Sequence, residues 1–144
     1  MRKKEQSNLI APSSRRFTLP KSHILRGRRN FERIFGSRNY ILTDSINARF
    51  VEFDSDPREY KVGFIASKKL GNAIQRSRCK RLLREAYRLN RHLLSEELQR
   101  AEKSMHIVFS TRVNGLDFAT VENDMVTLLT KLRSRLLSSN KNEL

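Results

Sequence analysis

The sequence predicts a single α+β domain in which helices cover a small sheet. Three observations support this fold class. The chain has 144 residues, a length typical of one domain. With 38% hydrophobic residues, eight of them Phe, it can build one modest core. Apolar residues recur every second position in the middle of the chain and every three to four positions on either side.

The domain is expected to cover residues 17–137. Residues 1–16 are polar and basic without an apolar period, which predicts a flexible N-terminal extension. Residues 138–144 are polar and predict a C-terminal tail.

The first helix is predicted over residues 28–35. Phe31, Ile34 and Phe35 fall at i, i+3 and i+4, and Gly36 then ends the pattern.

Three strands are predicted next. A short one is expected at residues 40–42, and residues 47–53 then alternate apolar and polar side chains. Turn residues at 54–58 precede another strand over 60–66, so the two longer strands are expected to run antiparallel.

A long basic helix is predicted after Gly71 and Asn72. Its core side comprises Cys79, Leu82, Leu83, Ala86, Leu89 and Leu93. The adjacent side carries Arg76, Lys80, Arg84, Arg88 and Arg91.

A buried strand over 105–110 and a final helix complete the order αβββαβα. Asp117 is the predicted N-cap of that helix. Its predicted core side consists of Val121, Met125, Leu128, Leu129 and Leu132.

The formal net charge of +15 indicates a polyanionic partner, either nucleic acid or an anionic membrane surface. The basic helix favours nucleic acid because its apolar side is aliphatic and of core type, and the chain contains no Trp. The single Cys cannot form an intramolecular disulfide, and no apolar run has the length of a membrane span. We therefore expect a cytoplasmic protein that does not bind membranes.

Three groups of residues are candidates for binding. The first is the basic helix itself, whose arginines suit bidentate contacts with phosphate. The second is the loop of residues 67–72, where Lys68 and Lys69 precede a helix N-terminus, and a structural turn explains this loop as well as a phosphate contact does. The third is the set of Phe residues in the N-terminal half, which either form core or stack on unpaired bases.

The sequence contains no motif of a protein-borne active site. It has no clustered His and Cys for a metal and no Gly-flanked nucleophilic Ser. We therefore expect no catalytic residue, no metal site and no protein-bound cofactor.

Residues 61–85 resemble the signature segment of the protein subunit of bacterial ribonuclease P. In that family a strand ends in S-K-K, followed by G-N-A and by an R-N-R helix that continues K-R-x-x-R-E. Here the corresponding residues are Ser67-Lys68-Lys69, Gly71-Asn72-Ala73, Arg76-Ser77-Arg78 and Lys80-Arg81-Leu82-Leu83-Arg84-Glu85. Ser77 departs from the pattern, since Ser lacks the second hydrogen-bonding group of an Asn amide. The flanking segments also agree, so the resemblance covers about residues 17–137.

The resemblance implies a fold similar to ribosomal-protein S5 domain 2, with a left-handed βαβ crossover. It also implies an endoribonuclease subunit that binds a catalytic RNA and helps to remove the 5′ leader from precursor tRNA, with Mg²⁺ acting through the RNA subunit. Contacts with that RNA are implied for Lys68, Lys69, Asn72, Arg76, Ser77, Arg78, Lys80, Arg81, Arg84 and Arg88. A leader-binding cleft is implied for Phe17, Phe31, Phe35, Phe50 and Arg112.

A second interpretation of the residues stays open. A noncatalytic, ribosome-associated RNA-binding protein would be equally small and equally basic. Composition does not separate the two, and only the resemblance favours the ribonuclease P subunit.

Overall fold

The computed structural model describes the backbone of residues 18–142 and the side chains of residues 18–138. The predicted extension at residues 1–16 and the candidate Phe17 lie outside the described residues. The described part forms four helices: α1 (Arg28–Phe35), α2 (Ala73–Asn90), α3 (His92–Arg100) and α4 (Phe118–Asn142). Its four strands are β1 (Tyr40–Leu42), β2 (Ile46–Phe53), β3 (Tyr60–Ile65) and β4 (Ser104–Thr111).

The strands form one mixed sheet in the order β1-β2-β4-β3. β2 pairs antiparallel with β1 and β4, whereas β3 pairs parallel with β4. The two longer early strands therefore run in opposite directions, as predicted, but they do not pair, because β4 lies between them. Nearly every side chain of β4 is buried, and such a strand is most stable in the centre of a sheet, where both faces are covered.

The sheet has two apolar faces. On one face, side chains that include Ala48, Val62 and Phe109 form the main core with α2, α3 and α4. On the other face, a smaller cluster of Leu25, Ile34 and Val108 packs with α1. Because side chains alternate along a strand, each residue of β2, β3 and β4 belongs to one face only.

Helix α1 has the predicted bounds. Ile34 is its buried residue, and the backbone N–H of Gly36 donates to the carbonyl oxygen of Glu32 at the helix end. The helix lies across the second face of the sheet.

Helix α2 is shorter than predicted, because the chain turns at Arg91 and an unpredicted helix, α3, follows. The Asn90 side chain at this turn donates to the carbonyl oxygen of Ala86 at 2.8 Å and to Glu122 of α4 at 3.0 Å. Helix α3 buries Leu94 and Leu98 in the main core.

Helix α4 confirms the predicted cap and core side. The Asp117 carboxylate accepts from the backbone N–H of Thr120 at 2.8 Å, and all five predicted core residues are buried. The helix runs to Asn142, past the domain boundary expected at residue 137. None of the helices within residues 18–142 is both long and apolar enough to span a bilayer.

Candidate nucleic-acid interface

The exposed side of α2 carries the predicted cations. This ridge, defined here as Arg76, Ser77, Arg78, Lys80, Arg81, Arg84 and Arg88, faces away from the main core. Its members are exposed except Arg76 and Arg88, which are partly buried. The opposite side of the helix buries Cys79, Leu83, Ala86 and Tyr87. Tyr87 was not predicted as core; it packs on the ring of Phe109 at 5.4 Å between centroids.

Three arginines of the ridge also bond to the protein itself. Arg76 donates to the carbonyl oxygen of Gly71 at 2.8 Å, and Arg78 donates to that of Leu116 at 2.7 Å. Arg88 forms an ion pair with Glu85 at 2.8 Å, which lowers the pKa of the Glu85 carboxyl. The first two contacts attach the start of the ridge to residues outside α2, whereas the third joins two residues of α2.

The middle of the ridge forms an open depression of about 330 Å³. Ser77, Lys80, Arg81 and Arg84 line it. Two guanidinium groups, an ammonium and a hydroxyl are all donors, so this depression suits the oxygens of phosphate groups.

The loop before α2 is held by side-chain caps. The Ser67 hydroxyl accepts from the backbone N–H of Lys69 at 3.2 Å. Asn72 and Gln75 form a reciprocal capping box, with both bonds at 2.9 Å. Gly71 has φ +132°, a conformation that L side chains rarely adopt, and an added Cβ would collide with Gln75. Lys68 and Lys69 are exposed beside the start of the helix.

A second candidate surface, which we call the α1 cleft, lies where α1 crosses the sheet. The rings of Phe31 and Phe35 lie 6.3 Å apart, and Phe35 is 50% exposed. Phe31 is set into the sheet above Gly63, where an added Cβ would lie 3.1 Å from the ring. A strand residue without a side chain therefore positions this aromatic ring.

The structure adds polar residues to the α1 cleft that the sequence did not single out. Arg49 of β2 donates to the carbonyl oxygens of Phe35 at 3.1 Å and Ser37 at 3.3 Å. Ser110 of β4 donates to Asn47 of β2 at 2.5 Å on the same face of the sheet. Along β2, Asn47 and Arg49 alternate with Ala48 and Phe50 and so lie on the other face of the sheet. This alternation is the sequence pattern that could have identified Asn47 and Arg49 as residues of the α1 side.

The prediction that Phe50 lines the same cleft is wrong. Phe50 is 2% exposed and belongs to the main core, on the opposite face of the sheet from α1. The aromatic residue of β2 on the α1 side is Phe53. The Arg33 guanidinium lies 4.7 Å from its ring centroid.

Arg112 is exposed just beyond the end of β4. Its guanidinium donates to the carbonyl oxygen of Thr43 at 2.6 Å, in the turn between β1 and β2. That contact places Arg112 at one end of the sheet, and its role in the cleft stays a prediction.

A buried histidine lies beside Phe53. His106 is 2% exposed, and its Nε2 atom lies 3.0 Å from a carboxylate oxygen of Glu59. Its Nδ1 atom has no hydrogen-bond partner among the described residues. Burial lowers the pKa of His106 despite the opposing effect of Glu59, and the hydrogen bond to His106 lowers the pKa of Glu59.

Within residues 18–142, no three His, Cys, Asp or Glu side chains come close enough to hold a metal ion. The exposed polar groups of the ridge and the α1 cleft are mainly donors, and both surfaces suit an anionic, partly aromatic ligand.

Comparisons with known proteins agree on one family. The family model described as Ribonuclease P matches residues 19–133. The ribonuclease P protein component of Syntrophus aciditrophicus is 32% identical over 118 residues, which cover 81% of this chain and 92% of that protein. The corresponding protein of Porphyromonas gingivalis is 43% identical over 76 residues, and this match spans only 56% of its length.

Two solved structures share the fold. The RNase P protein of Staphylococcus aureus gives a TM-score of 0.61 at 18% identity, covering 78% of this chain and 97% of that one. The RNase P protein from Thermotoga maritima gives 0.57 at 25% identity, covering 75% and 96%.

Proposed function

The chain belongs to the ribonuclease P protein family, and from that premise we propose that it is the protein subunit of ribonuclease P. In this role it binds the catalytic RNA and the 5′ leader of precursor tRNA in the cytoplasm. It promotes the endonucleolytic cut that releases the leader and leaves the mature 5′ end of the tRNA.

The ridge on α2 binds the RNA subunit. Lys80, Arg81 and Arg84 are exposed in one depression, and none of the ion pairs among the described residues includes them. A guanidinium group can donate two parallel hydrogen bonds to two oxygens of one phosphate, so the backbone of a folded RNA fits this surface. Ser77 contributes a hydroxyl from the same depression.

The α1 cleft binds the unpaired leader. The single observation that carries this assignment is the aromatic pair: Phe35 is half-exposed beside Phe31, and Arg49 donates to the carbonyl oxygen of Phe35. Bases of a single strand stack on such rings without a requirement for sequence, and a nearby cation neutralises the backbone. A base within a duplex is already stacked and does not present its face.

The hydrolytic chemistry belongs to the RNA subunit and the Mg²⁺ that it binds. This chain contributes positive charge between two polyanions, so that the RNA subunit and the substrate approach each other with less repulsion. A stronger effect of the protein at low Mg²⁺ follows, because fewer free cations are then available to screen the phosphates.

The decisive experiment reconstitutes the full chain with a bacterial ribonuclease P RNA and precursor tRNA at low Mg²⁺. We expect faster cleavage at the mature 5′ end than with the RNA alone, and no cleavage by the protein alone. A variant of the ridge, Lys80→Gln with Arg81→Gln, should fold normally and give a smaller gain in cleavage.

Two outcomes contradict the proposal. If the chain gives no gain in cleavage but binds ribosomal RNA tightly, the noncatalytic alternative is correct. Cleavage by the protein without RNA would refute an RNA-borne active site.

A further inference from the structure

A second basic groove adjoins α2, and four of its six lining residues lie outside the set that the family resemblance assigns. It lies between the helix and residues 19–26, the segment that leads into α1. It has a volume of about 340 Å³ and is lined by Leu19, Lys21, Ile24, Arg26, Arg84 and Arg88.

The charge of this groove is entirely positive. Four of its six lining residues are cationic and none is acidic. None of the ion pairs in the described part of the chain includes Lys21, Arg26 or Arg84. Arg88 already pairs with Glu85, so the argument rests on the other three.

Both walls of the groove are fixed by the fold. The backbone N–H of Leu25 donates to the carbonyl oxygen of Val62 at 2.7 Å, and Ile24 forms a parallel bridge with the same residue. The lead-in segment is thereby attached to the outer edge of β3. On the other wall, the Arg84 guanidinium lies 5.8 Å from the ring centroid of Phe64, a distance at which a cation is attracted to the ring.

The groove continues the ridge. Arg84 lines both the groove and the depression formed by Ser77, Lys80 and Arg81. One polyanionic strand can therefore pass from the ridge across Arg84 to Lys21 and Arg26. Arg84 belongs to α2, on the opposite face of the sheet from the α1 cleft.

We propose that this groove binds the phosphate backbone of the ribonuclease P RNA subunit, with Lys21 and Arg26 as contacts. The inference rests on the proposed function and extends its RNA surface from one helix to two elements. The shared Arg84 favours the RNA subunit over the leader, because the α1 cleft lies on the other face.

The test measures binding of the full chain to the RNA subunit alone over a range of salt concentrations. The variant with Lys21→Gln and Arg26→Gln is compared with a matched control, Lys103→Gln with Lys131→Gln, which removes two exposed cations away from the groove. Each lost phosphate contact lowers the slope of log affinity against log salt by roughly 0.7 to 0.9. We therefore expect the groove variant to lose roughly 1.4 to 1.8 from that slope and the control to lose little. Thermal melting should show that both variants are folded.

Equal slopes for the groove variant and the control would overturn the inference. A loss seen only with leader-bearing precursor tRNA, and not with the RNA subunit, would also overturn it, because the groove would then be a leader site. Failure of the proposed function looks different: the unaltered chain would then neither bind the RNA subunit nor stimulate cleavage.

Discussion

Gly63 shows how a single residue positions a candidate binding surface. Because it has no side chain, Phe31 lies close against β3 and its ring supports Phe35. The strand residues on this face are mixed: Val51 and Val108 belong to the same apolar cluster as Phe31, whereas Arg49 places a cation beside Phe35. The position of the aromatic rings in the α1 cleft thus depends on Gly63 in β3 as well as on the residues of α1.

At the residue scale, Phe35→Ala should weaken binding of leader-bearing precursor tRNA by about 1 to 3 kcal/mol in the reconstituted complex. The free energy of unfolding of the Phe35→Ala protein should differ little from that of the unaltered chain, because half of the Phe35 side chain is already exposed. Leu137→Ala is the matched control, since Leu137 is 40% exposed on α4. Equal losses for leader-bearing and mature tRNA would show that Phe35 does not contact the leader.

His106 predicts a pH dependence of stability. Burial lowers its folded-state pKa below 6.5, so the unfolded chain binds the proton more readily. The stabilisation from neutral His106 is complete above 6.5 and is lost as the pH falls through the folded-state pKa. The free energy of unfolding should therefore decrease from about pH 7 to about pH 5.

Urea unfolding of His106→Gln across that range should give a shallower pH dependence. The dependence should not vanish, because burial and then Arg91 lower the pKa of His23 in the same direction. His92→Gln, which alters an exposed histidine, serves as the control. An unchanged pH dependence in His106→Gln would show that another group is responsible.

At the element scale, α2 combines a buried side, a cationic side and a tightly capped start. The capping box of Asn72 and Gln75 satisfies two backbone N–H groups at the point where the chain leaves the loop. This cap fixes where the helix begins and therefore which arginines face outward.

Substitutions of Asn72 separate the capping role from RNA contact. Asn72→Ala should lower the free energy of unfolding by about 0.5 to 2 kcal/mol. Asn72→Asp should preserve the stability, because aspartate is also a good cap, yet its negative charge should weaken binding to the RNA subunit. Undiminished RNA affinity in Asn72→Asp would show that this loop does not face phosphate.

At the scale of the whole molecule, the sheet separates two binding surfaces. Helix α2 packs on one face and α1 on the other. The ridge and the α1 cleft therefore share no lining residue, and the sheet lies between them.

This separation predicts additive effects. Arg81→Gln should weaken binding to the RNA subunit, and Phe35→Ala should weaken binding of the leader. The loss of binding free energy in the combined variant should equal the sum of the two single losses within about 0.5 kcal/mol. These losses are measured from cleavage rates at limiting RNA and limiting substrate. A larger deviation would indicate that the two surfaces communicate.

Much of the fold follows from local patterns in the sequence. The bounds of α1, the basic side of α2, the buried β4 and the Asp117 cap were all predicted, because each depends on residues within a few positions of one another. The helix α3 was missed, since the same apolar pattern continues across the turn at Arg91.

The sequence by itself determined that this is a basic α+β domain with an arginine-rich helix and an aromatic first helix. The tertiary structure alone decided that β4 separates β2 from β3, that Phe50 is core while Phe53 lies on the α1 side, and that Lys21 and Arg26 meet Arg84. The physical reason is that these contacts join residues far apart in the chain. Alternation assigns residues to two faces of a strand, but only packing decides which helix covers each face.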